Sequence, residues 1–122
     1  MNERRHFSRI LFDTTAYLKQ DDNMWTTKIH DLSLNGALVE EPINFSPNES
    51  NLILDLCLPD SDIKLIMLTK LVYNKDKQLG LQCVHIDVDS ISHLRRMLEL
   101  NLGDASLLNR ELEHFIEEHD IT

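Results

Sequence analysis

Residues 10–29, ILFDTTAYLKQDDNMWTTKI, decide what kind of chain this is. Ile10, Phe12, Ala16 and Leu18 fall on even positions, with Asp13, Thr15 and Lys19 between them. That period of two predicts a half-buried strand, because successive strand side chains point to opposite faces. Gln20 to Asn23 is a polar turn cluster, after which Trp25, Thr27 and Ile29 alternate with Thr26, Lys28 and His30. Two alternating runs joined by a short polar turn make a hairpin.

The same pattern continues in both directions along the chain. Asn35-Gly36 turns the backbone before Ala37 to Val39 resume as a short strand, and a residue without Cβ permits a tight turn or a close approach there. Residues 40–51 hold two prolines and three asparagines and read as a surface loop, with Phe45 packing onto the body. Leu52, Leu54, Leu56 and Leu58 alternate with Ile53, Asp55 and Cys57. A turn over 59–62 leads to an apolar run from Ile63 to Tyr73, and Leu79, Leu81, Cys83 and His85 follow the polar cluster 74–77. Six short strands at this spacing predict an antiparallel sandwich or small barrel, closed or nearly so.

After Asp89 the period changes. Ile91, Leu94, Leu98 and Leu102 recur at helical spacing, with Asp89 or Ser90 placed to cap the helix and Gly103 placed to end it. Asp104 is positioned to cap a second helix, whose apolar stripe is Leu108, Leu112, Phe115 and Ile116 and whose wet face is Glu111, Glu113, Glu117 and Glu118.

Composition narrows the function. With 12 Lys and Arg against 21 Asp and Glu, the formal charge of −9 repels polyanions and acidic membrane surfaces, so neither nucleic acid nor membrane is expected as a partner. A single-stranded RNA-binding barrel is disfavoured by that charge and by seven aromatics mostly placed to pack. The charged N-terminus lacks the apolar run of a signal peptide, and no segment approaches the roughly 18 apolar residues of a membrane span. The expectation is therefore a cytoplasmic domain, a monomer, with Cys57 and Cys83 reduced. The six histidines have no zinc-binding spacing with those cysteines, and no nucleophile is paired with a base. Neither a metal site nor an enzyme is expected.

Positive charge is dense in one place only, Arg4, Arg5 and Arg9 ahead of the first strand. Asp31, Ser33 and Gly36 follow the second, and since the two strands form a hairpin, both groups belong at one end of the sheet. Guanidinium groups bind phosphate and the O6 and N7 edge of guanine and stack on bases, and a carboxylate accepts from guanine N1 and N2. The combination suits a guanine nucleotide.

In Arg5-x-x-x-Arg9 and Asp31-x-Ser33-x-x-Gly36, with Gly80 in the last strand, the chain resembles the PilZ family. The resemblance covers most of its length, and neither motif carries a substitution. What it implies is a mainly β fold, a six-stranded antiparallel β-barrel with C-terminal α-helices. The expected organisation is a flexible basic arm over residues 1–9, the barrel over 10–88, and helices over 89–122 packed on the same domain.

The resemblance also implies a receptor for cyclic di-GMP that changes conformation on binding and signals to a separate effector protein. It puts Arg5 and Arg9 on phosphates and guanine faces, Asp31 and Ser33 on guanine edges, and Gly36 where the ligand meets backbone. Arg4, directly before the first motif arginine, implies a ligand bound as an intercalated dimer. Tyr73, near a strand end, could set its ring beside a base. The alternative is a ligand-independent protein-interaction module on the same barrel, docking through its acidic C-terminal helices.

Overall fold

The structure is a computed structural model that describes residues 9–58, 62–103 and 105–118. Six strands, β1 (Arg9–Gln20), β2 (Asn23–Ser33), β3 (Gly36–Glu40), β4 (Leu52–Cys57), β5 (Lys64–Lys75) and β6 (Gln78–Ile86), precede two helices, α1 (Val88–Leu102) and α2 (Ala105–Glu118). The strands form a closed barrel in the order β1-β2-β3-β6-β5-β4. Every neighbouring pair is antiparallel, and β1 with β4 completes the circle between Ala16↔Leu56 and Lys19↔Ile53. Closure gives every strand a neighbour on both sides, though β4 is shorter and pairs with only part of β1 and of β5. Lys19 Nζ, 2.7 Å from Asp55 Oδ2, ties β1 to β4 on the outside of the seam.

Alternation fills the interior with Ala16, Leu18, Ile29, Val39, Leu54, Leu65, Met67 and Leu79, all buried. Each large aliphatic side chain so buried contributes about 2 kcal/mol from apolar area removed from water. Thr27 and Thr69 also point inward, and their hydroxyls donate to the carbonyls of Glu40 and Leu52, so neither leaves an unsatisfied polar group.

The connection 41–51 crosses from β3 to β4 over the end of the barrel where β1 finishes. Gln20 holds it: its Nε2 donates to Ser50 O at 2.8 Å, and its Oε1 accepts from Asn48 N at 2.8 Å. Trp25 Nε1 donates to Asn44 O at 3.2 Å, and Phe45 meets the indole edge to face with centroids 4.9 Å apart.

At the opposite end α1 packs against β5 and β1, and Ile91, Leu94 and Leu98 join the barrel core. The cap expected at Asp89 or Ser90 lies earlier, at Asp87, whose extended backbone (φ −78, ψ 163) follows directly from the end of β6. Its carboxylate accepts from Ser90 N at 3.2 Å. Ser90 is instead buried, its Oγ accepting from Ile66 N at 3.1 Å and fastening the helix start to β5. Gly103 ends the helix in the left-handed conformation (φ 71), its N–H donating to Glu99 O at 2.9 Å.

In α2, Phe115 is fully buried in the same core. The stripe expected from the sequence is rotated: Glu111 is only 9% exposed, whereas Ile116 is 51% exposed. Positions 111 and 115 are one turn apart, and that line is the one packed inward. Leu112 is half-buried against the core, while the Leu108 side chain and Asp104 lie outside the described residues.

Candidate functional site

The site begins with an irregularity in β2. Ile29 pairs with Val39 and Asp31 with Leu38, so His30 is an extra residue with no counterpart on β3. An added residue shifts the inside-outside alternation by one. Up to Ile29 the odd positions face the core; beyond His30, Leu32 and Leu34 do, both fully buried. Asp31 and Ser33 therefore stand on the outer face, two residues apart on one strand.

They are nonetheless sheltered, at 8% and 5% exposure. The Ser33 hydroxyl donates to Gly36 O at 3.4 Å, a long bond that leaves its lone pairs available. Asn35 O, in the turn between them, accepts from Cys83 N at 2.7 Å and pins the turn to β6.

Strand register turns the motif residues into two rows across the outer face. One runs from Asp31 through Leu38 on β3 and Gly80 on β6 to Tyr73 on β5. The other runs from Arg9 on β1 through Ser33, Gly36 and Gln82 to Lys70 on β5. Asp31, Ser33, Gly36 and Tyr73 thus share one face at neighbouring levels, with Tyr73 at its far margin from β1 and the backbone of Arg9 level with Ser33. Arg4 and Arg5 lie outside the described residues, as does the rest of the expected arm through residue 8.

The two glycines serve the scaffold directly. Gly36 has φ 151, and a β-carbon there would sit 1.9 Å from the carbonyl oxygen of Leu81, so its absence lets β3 lie against β6. At Gly80 a β-carbon would come within 2.8 Å of Tyr73 Cβ. The Tyr73 ring leans over that bare stretch of backbone, 42% exposed on its outer side.

Other reactive groups are engaged elsewhere. Burial pushes the Cys83 thiol up to about 12, against the opposing effect of a backbone hydrogen bond at His85. Asp87 is occupied as the cap of α1. Among the described residues no group of three His, Cys, Asp or Glu side chains is placed to hold a metal ion.

The family model for the PilZ domain matches residues 3–100. The chain belongs to the PilZ family. Its fold is shared with the PilZ domain of CeSA from a cellulose-synthesizing bacterium, at TM-score 0.61 and 14% identity over 80% of this chain and 99% of that one. It is shared also with the Bacillus subtilis inhibitor of motility (MotI/DgrA), at TM-score 0.60 and 19% identity over 84% of this chain. This PilZ domain spans about half of that second chain, 54%. PilZ domains are binding and adaptor modules for cyclic di-GMP rather than catalysts. Among the described residues of this one, no helix is long and apolar enough to cross a membrane.

The two motifs were legible in sequence; Gln82 and Lys70 were not. Neither belongs to a motif, and only the pairing of β3 with β6 and of β6 with β5 brings them level with Ser33.

Proposed function

We propose that this PilZ domain is a cytoplasmic, monomeric receptor for cyclic di-GMP that changes conformation on binding and passes the signal to a separate effector protein. The observation that carries the reading is the pair Asp31 and Ser33, turned outward by the His30 bulge, with Ser33 in register with Arg9. A carboxylate and a hydroxyl held side by side can accept from guanine N1 and N2, while Arg5 and Arg9 supply phosphate contacts and flat faces for stacking. Tyr73 offers a ring for a base at the other margin of the face. Arg4 adds a further cation, suited to two intercalated ligand molecules carrying four phosphate charges.

The conformational step follows from charge. Arg4 and Arg5 carry guanidinium groups for which an incoming phosphate is a partner, so binding engages them beside the row that starts at Arg9 and changes the surface shown to a partner.

Isothermal titration calorimetry of cyclic di-GMP tests the reading, with Arg5→Ala/Arg9→Ala, Asp31→Ala and GTP as controls. The wild type binds, GTP does not, the double arginine variant loses binding, and Asp31→Ala weakens it by about ten- to a hundredfold. Two ligands per chain supports the dimer. Absence of binding by the wild type overturns the receptor reading in favour of a ligand-independent interaction module.

A further inference from the structure

We propose that Lys70 is a phosphate-binding residue of the same site, seating the side of the ligand that lies farthest from β1. The inference rests on the cyclic di-GMP reading and extends it to a strand that carries neither motif. Lys70 closes the row Ser33, Gly36, Gln82, Lys70, and it stands on the same strand and face as Tyr73. Its backbone lies two strand spacings from Gly36, about 10 Å along the sheet, a gap that one dinucleotide can span.

The electrostatic setting singles it out. The chain has nearly twice as many acidic as basic residues. Yet the positions beside Lys70 on this face are Gln82, Gly80 and Tyr73, all uncharged, and Lys70 is exposed, with no carboxylate partner among the described residues. The acidic group of the two rows is Asp31, at the opposite margin and suited to a base edge rather than a phosphate. A ligand placed with one guanine on Asp31 and Ser33 presents a phosphate toward the side where Lys70 supplies the positive charge. Gln82, exposed between them, can donate its amide to the same oxygens. A flexible ammonium serves there as a point charge with three donors.

Calorimetry of cyclic di-GMP into Lys70→Gln, Lys70→Glu and Lys70→Arg, at low and high salt, tests this. Lys70→Gln weakens binding about tenfold and flattens its salt dependence, Lys70→Glu weakens it further, and Lys70→Arg stays close to wild type. Melting temperatures remain at the wild-type value, because the residue is exposed. If Lys70→Gln binds as the wild type does while Arg5→Ala/Arg9→Ala loses binding, the role of Lys70 is refuted and the receptor reading stands. If the wild type itself fails to bind, both fall. Arginine failing to rescue, or a melting temperature that drops with affinity, also overturns the phosphate role.

Discussion

The ring of Tyr73 lies over Gly80, so closely that a β-carbon on Gly80 would stand 2.8 Å from Tyr73 Cβ and 3.3 Å from its Cγ and Cδ1. Glycine and tyrosine face each other across β6 and β5, just past Val72, which has no partner on β6. The aromatic thus replaces the side chain its neighbour lacks, and the pair sets the level of the outer face at its margin.

Gly80→Ala sets a methyl against Tyr73 Cβ and its ring and costs about 1–2 kcal/mol of stability. In a Tyr73→Gly background the same change costs much less, since both the β-carbon and the ring it would meet are gone. Urea denaturation of the two single variants and the double variant gives the coupling; additive effects would show that Tyr73 does not occupy that space.

Gly36→Ala is more damaging. The obstacle is the Leu81 carbonyl, part of the backbone, and the φ of 151 is one that alanine rarely adopts. A loss of about 3 kcal/mol or more is expected, with β3 separating from β6. Amide exchange of Leu81 and Cys83, followed by NMR, reports that separation, and protection equal to wild type would contradict the contact.

Asp87 links the first helix to pH. Burial raises its pKa, but the hydrogen bonds from the Ser90 hydroxyl and N–H and from nearby backbone outweigh it, and the net shift is below the ordinary 3.8. The unfolded state then binds the proton more readily, so this stabilisation is complete above the unfolded pKa and is lost as pH falls through the lower folded value. Asp87→Ala removes the cap and costs about 1 kcal/mol at neutral pH. Asp87→Asn keeps a capping oxygen and loses the pH dependence. Denaturation curves at neutral pH and in steps below 3.8 separate the two.

The two cysteines differ in reactivity. With its thiol pushed up to about 12, Cys83 has almost no thiolate in mildly alkaline buffer, whereas Cys57 is exposed on β4. Iodoacetamide adds once to the native protein, at Cys57, and twice after unfolding. Equal native rates at both sites, read by peptide mass, would contradict the burial of Cys83.

What could be read from sequence was whatever depends on short-range periodicity. Alternation located six strands, and Gly103 marked the end of α1 because the left-handed cap needs it. The sequence signal failed where partner elements choose between near-equal local options. Asp87, Asp89 and Ser90 all suit a helix start; the end of β6 selects Asp87, and the amide of Ile66 claims Ser90. In α2 the apolar count favours Ile116 over Glu111, but contact with α1 and the barrel core selects the line through Phe115. For the candidate site, motif spacing identified Asp31, Ser33 and Gly36 as a group, whereas Lys70 and Gln82 acquire their level only from register.

The bulge at His30 makes the path of β2 as informative as its composition. Were the same strand to run straight through position 30, Asp31-x-Ser33-x-x-Gly36 would still read letter for letter. Its aspartate and serine would then turn into the oily interior and its two leucines out to water. Such a strand would match the motif and have nothing with which to grip a nucleotide.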